Sequence, residues 1–197
     1  MKHLKESQDE LFRAELGEST RTLQDLAALV GPLERAVEIV SEALDSGCKL
    51  LTCGNGGSAA DAGHLATEFI IRFQQERPSL PAISLCESGS TITAAANDYG
   101  FDHIFERQVR GLGKPGDVLV AFSTSGNSRN VIRAIEVAKA MGLKSISFLG
   151  KGGGFTKGLA DVELVVSSEV TARVQEAHLF LYHCLCRMTE LRMGLAK

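Results

Sequence analysis

The chain has 197 residues, a formal net charge of -3 and a pI near 6.0, with 44% hydrophobic and 23% charged residues. That balance suits one globular domain with a full core, and its mild acidity leaves no electrostatic footprint for nucleic acid. No apolar run is long enough to span a membrane, and Met1-Lys2-His3-Leu4-Lys5 lacks the apolar stretch of a secretory leader.

The five cysteines, Cys48, Cys53, Cys86, Cys184 and Cys186, include no Cys-x-x-Cys. An odd count in a core-rich chain implies a reducing, cytoplasmic setting, with the thiols acting as small hydrophobes.

In chain order, residues 3–30 predict a helix. Phe12, Leu16, Leu23, Leu26 and Val30 recur on one apolar stripe. Gly31-Pro32 breaks that pattern, and Pro suits the first turn of a second helix running to about Leu44. From Cys48 onward the rhythm becomes strand, turn, helix. Apolar runs at 49–53, 82–86, 117–122, 145–149 and 162–166 predict strands. Helical patterns fill 58–73, 90–96, 101–112, 128–141, a short piece at 155–159 and a long final segment at 172–192. Near-continuous apolar strands alternating with helices predict an α/β fold: a three-layer arrangement around a five-stranded parallel sheet. Two extra helices (1–46) precede the α/β core (47–197), and the whole reads as one domain. In such sheets ligands bind outside the carboxyl ends of the strands.

Gly54-Asn55-Gly56-Gly57-Ser58 follows the first strand and opens a helix, with Ser58 as the expected N-cap. The spacing matches neither a dinucleotide fingerprint nor a P-loop, so no nucleotide cofactor is expected. A tight turn and an anion site both account for the loop. On the helix that follows, Asp61, His64, Glu68 and Arg72 share a face. Taken alone, that face reads as a solvated stripe with i,i+4 pairing, His64 to Glu68 and Glu68 to Arg72, rather than as chemistry.

Ser123-Thr124-Ser125-Gly126-Asn127-Ser128 follows the third strand. Its hydroxyls, at the N-terminus of a helix, suit a phosphate better than a turn alone requires. In the final helix, apolar nearly all round, Gln175 and His183 stand at i and i+8 and can line one side. Each is either satisfied locally or turned toward partners elsewhere.

Taken together, these motifs, with Asn97-Asp98 between them, resemble the sugar isomerase (SIS) domain, and within it the phosphoheptose isomerase family. The resemblance covers nearly the whole chain. It implies a flavodoxin-like sheet and a cytoplasmic homotetramer packed through the N-terminal helices, with active sites at subunit interfaces. It implies an aldose-ketose isomerase that takes sedoheptulose 7-phosphate to D-glycero-D-manno-heptose 7-phosphate through an enediol, toward the activated heptose of lipopolysaccharide or other surface glycans. By similarity Glu68 is the base and His183 the acid. Ser123, Thr124, Ser125 and Ser128 hold the phosphate, and Asn55, Gly56, Gly57, Ser58, Asn97, Asp98 and Gln175 bind the sugar. Some relatives bind zinc through residues matching His64, Glu68, Gln175 and His183, a picture that uses the same atoms as acid–base catalysis. One position departs from the family's pattern: Val170-Thr171-Ala172-Arg173 offers no acidic residue before the final helix. Cys184-Leu185-Cys186 and the run from Glu76 to Ile83 resemble a non-catalytic branch that binds the replication initiator DnaA, and a phosphosugar sensor without turnover is a further reading.

Overall fold

The computed structural model of the chain describes residues 2–196. Its helices are α1 (Lys2–Asp25), α2 (Val30–Asp45), α3 (Gly57–Ile70), α4 (Gly89–Tyr99), α5 (Ile104–Leu112), α6 (Arg129–Ala140) and α7 (Thr171–Arg192). Its strands are β1 (Leu50–Cys53), β2 (Ala82–Ser84), β3 (Val118–Ser123), β4 (Lys144–Leu149) and β5 (Val162–Val165). All strand pairs are parallel, in the order β2-β1-β3-β4-β5. Leu51 lies opposite Ile83 on one side and Leu119 on the other.

The strands β1 and β3 are buried at every residue, which is why each reads as an unbroken apolar run. Their alternate side chains feed two cores. Leu50, Val118, Val120 and Phe122 pack with α2, α3 and α7. Leu51, Cys53, Leu119 and Ala121 pack with α5 and α6. The expected three layers follow from this. Beyond β1 the chain crosses to β2 on one side, and beyond β2 it returns to β3 on the other. A crevice opens at such a reversal, outside the carboxyl ends of β1 and β3.

Several boundaries differ from the sequence expectation. The N-terminal helices are divided by a 3-10 turn, Leu26–Leu29, not at Gly31-Pro32, and Pro32 falls within the first turn of α2 as its missing N–H permits. The stripe on α1 is not core: Leu11, Phe12, Leu16 and Leu23 are exposed, with Phe12 at 67%. The helix packs on α7 through its polar side instead. Arg173 donates to the Glu15 carbonyl at 2.7 Å, and Ser19 donates to Glu176 at 2.7 Å. Helix α3 ends at Ile70, so Arg72 leaves the expected face and pairs with Glu76 at 3.8 Å. In place of the piece expected at 155–159 stand short 3-10 turns within Lys151–Thr156, interrupted where Gly152, Gly153 and Gly154 adopt non-helical angles.

The end of α3 is clamped by a buried ion pair. Arg77 Nε lies 2.7 Å from Glu190 Oε1 on α7, with both side chains at most 2% exposed. The same guanidinium donates to the carbonyls of Glu68 and Phe69 at 2.6 and 2.9 Å, and the Phe73 N–H donates to Glu190 at 3.3 Å. Carbonyls in the last turn of a helix need such donors. Replacing Glu190 by Ala strands a buried guanidinium and is expected to cost about 3–5 kcal/mol in urea unfolding. A loss below about 1 kcal/mol would show that the pair does not hold this corner.

Candidate active site

The loop after β3 gathers hydroxyls at the start of α6. The Ser128 residue takes the N-cap position of α6, but its hydroxyl caps nothing; it receives the Ser123 hydroxyl at 3.3 Å. The Ser123 Oγ accepts the Gly126 N–H at 3.1 Å, and Ser125 Oγ accepts the Asn127 N–H at 3.2 Å. Thr124 and Ser125 are half-buried beside them. A side chain at Gly126 (φ 65) would strike the backbone of Gly153, so the glycine is required where the two loops meet. The N–H groups of Arg129 and Asn130, the first two of α6, reach no acceptor among the described residues. Free donors, hydroxyls and the positive helix end converge there, as a phosphate requires.

The loop after β1 is tied to it. Asn55 and Asn130 exchange two side-chain amide bonds at 2.9 and 2.8 Å. The Asn55 amide is thus engaged at both ends. Gly56, with φ 58, is the N-cap of α3; Ser58 is not. Ser58 lies one step further in, buried, with its N–H donating to the Asn55 carbonyl at 3.0 Å. The cap expectation failed because a left-handed glycine turns the chain before Ser58 is reached. Gly57 is exposed, and a side chain there would collide with the Gln175 amide.

Helix α7 runs alongside α3, so Gln175 meets Gly57 and His183 meets the His64–Glu68 pair eight residues further on. His64 Nε2 lies 2.8 Å from Glu68 Oε1. The His64 and His183 rings meet edge to face with centroids 5.2 Å apart, and Phe73 closes the other side of His183 at 5.3 Å. Ligating atoms of His64, Glu68 and His183 all lie within 4.8 Å of one another. Two imidazoles and a carboxylate at that spacing are a donor set that suits zinc, with room for a further ligand. Gln175, the fourth residue of the expected set, stands two turns earlier on α7.

Burial lowers the pKa of His183 from its ordinary value, and His64 beside it adds to the effect, while Glu68 opposes it. Asp61, one turn before His64, is pushed up to about 6 by burial, against the pull of His64. His178 points elsewhere, as its offset from His183 implies. It is packed on Phe122 and Phe148, bonds the Leu149 carbonyl at 3.2 Å, and burial drops it to about 4.

Asn97 and Asp98 are exposed at the end of α4 and bond each other at 2.8 Å. No described contact joins them to the His64–Glu68–His183 group. Asp98 faces a cleft of about 730 Å³ that it shares with Ser88, Tyr99 and Arg107. The turn after α4 reaches α6 through Asp102 and Arg129, 3.9 Å apart.

Two residues of the site were not anticipated. Asn130 reads as an ordinary helical residue; its cue was a short amide directly after a hydroxyl-rich loop. Tyr182, whose hydroxyl lies 2.8 Å from His64 Nδ1, reads as one more apolar residue in α7, and only its phenol beside His183 hinted otherwise.

The SIS domain family model matches residues 16–150. A phosphoheptose isomerase from Shewanella frigidimarina is 50% identical over 181 residues, covering 90% of this chain and 92% of the relative. One from Campylobacter concisus is 47% identical over 180 residues, covering 91% and 95%. The solved phosphoheptose isomerase GmhA from Neisseria gonorrhoeae superposes with a TM-score of 0.88 at 42% identity, covering 93% of this chain and 98% of that one. A match of that extent, together with the fold and the two loops described above, means that the chain belongs to the SIS domain family and, within it, to the phosphoheptose isomerases.

Proposed function

We propose that the protein converts sedoheptulose 7-phosphate into D-glycero-D-manno-heptose 7-phosphate. The observation that carries this reading is the meeting of Glu68, His183 and His64 beside two linked loops, one of them shaped for a phosphate. The anion loop at Ser123, Thr124, Ser125 and Ser128 holds the phosphate. The reacting carbons then extend toward His64, Glu68 and His183, where α3 meets α7.

Glu68 removes a proton from C1 of the ketose. The electron pair forms the C1–C2 double bond, and the C2 oxygen takes up the charge. His183, kept neutral near pH 7 by its lowered pKa, offers a ring N–H to that oxygen. A neutral imidazole is the better matched donor for an enediolate, since it can give its hydrogen bond without first being charged. His183 gives its proton to the C2 oxygen and takes up the C1 hydroxyl proton as Glu68 returns its own to C2, which leaves a hydroxyl at C2 and the aldehyde at C1. A zinc ion held by His64, Glu68 and His183, with Gln175 as a fourth ligand, would polarise the carbonyl and stabilise the enediolate.

The exposed stripe of Leu11, Phe12, Leu16 and Leu23 on α1, with Leu179 and Phe180 on α7, supports a homotetramer packed through these helices. Asn97 and Asp98, which stand apart from the cluster within one chain, fit a site completed at a subunit interface. Five free cysteines accord with a cytoplasmic enzyme feeding the heptose of lipopolysaccharide or another surface glycan.

Purified protein is expected to convert sedoheptulose 7-phosphate in an assay that follows aldose formation, with and without added zinc. Glu68→Gln is expected to lower kcat by about 10²–10⁴-fold. An inactive wild type under both conditions would contradict the reading. Ser125→Ala is expected to raise KM more than it lowers kcat, and to weaken inorganic phosphate as an inhibitor. Unchanged phosphate inhibition would place the anion elsewhere.

A further inference from the structure

Tyr182 is fully buried on α7. Its ring is fixed edge to face against His64, His183 and Phe122, with centroids 5.4, 4.8 and 6.0 Å away. The phenol therefore has little freedom to turn, and its oxygen meets His64 Nδ1 at 2.8 Å. The other ring nitrogen, Nε2, meets Glu68 Oε1 at the same 2.8 Å.

A neutral imidazole has one N–H and one lone pair. Were the proton on Nδ1, the Nε2 lone pair would face a carboxylate oxygen at hydrogen-bond distance, which is repulsive. With the proton on Nε2, both contacts become hydrogen bonds: Tyr182 donates to Nδ1 and Nε2 donates to Glu68. We propose that Tyr182 is a positioning residue: by anchoring Nδ1 it holds the His64 ring in the one orientation in which Nε2–H meets Glu68, and thereby fixes how Glu68 is presented.

The hydroxyl also suits the second state of His64, an extension that rests on the zinc reading above. With Nε2 committed to an ion, the proton moves to Nδ1, and Tyr182 accepts from it. Histidine ligands are commonly held by such a partner on the remaining nitrogen. A phenylalanine at 182 would fill the same space and serve neither state.

The test uses the intact metal-free protein and its Tyr182→Phe variant. Nitrogen–proton correlation spectra, recorded where the ring is neutral, report the His64 tautomer. Wild type is expected to show the Nε2–H form, and the variant a mixture of forms. Competition with a chelator is expected to show zinc bound about 10–100-fold more weakly by the variant. A wild-type His64 in the Nδ1–H form would overturn the proposal, and this result does not depend on how the variant folds. A folded variant with the same tautomer and the same zinc affinity would overturn it too. If wild type binds no zinc, the extension fails while the tautomer measurement still decides the first claim, and neither result depends on isomerase activity.

Discussion

The site depends on one packing arrangement, the alignment of α7 along α3. Neither helix holds the chemistry alone. Helix α3 brings His64 and Glu68, and α7 brings His183, Tyr182 and Gln175. They are held in register by Ala62, Leu65, Ala66 and Phe69 against Val174, Ala177, Leu181 and Leu185 in one core. At the lower end the Arg77–Glu190 pair clamps the last turn of α3 to α7. At the upper end the absence of a side chain on Gly57 lets the Gln175 amide approach the first turn. A slip of either helix by one residue would rotate its polar groups by about 100° and separate the cluster.

The loops add a second constraint. Strand order reverses between β1 and β3, so the loops that leave them face one crevice. The Asn55–Asn130 exchange joins them. The start of α6 is thereby held in fixed relation to the helix that carries Glu68, so that a phosphate bound there would be too. Effective positioning of that kind accounts for much of an enzyme's advantage over free reactants.

Much of this was legible from residue patterns. The strands β1 and β3 announced themselves because both faces are buried, and Ser123–Ser128 because so many hydroxyls before a helix have few other uses. The His64–Glu68 pair was visible but ambiguous, since i,i+4 polar pairs also decorate solvated helices. Only His183, distant in sequence, resolved it, and its ring contact with His64 is tertiary. Ser58 misled because a capping hydroxyl and a buried hydroxyl look alike in a sequence, whereas the turn is made by Gly56 at positive φ. The stripe on α1 showed its period correctly but not its partner. Periodicity tells that a face is apolar; it does not tell whether this chain or another copy covers it. Tyr182 escaped for a related reason: in an apolar helix a tyrosine is read as bulk, and its hydroxyl gains meaning only when His64 is placed opposite.

The central claim is that Glu68 moves a proton between C1 and C2 of a phosphorylated ketose bound where α3 meets α7. Turnover of sedoheptulose 7-phosphate in deuterium oxide tests it most directly. The account predicts that the aldose formed carries solvent deuterium at C2, because the base exchanges its proton with water during the lifetime of the enediol. Aldose formed with no deuterium at C2, as a direct hydride shift between the carbons would give, would contradict it.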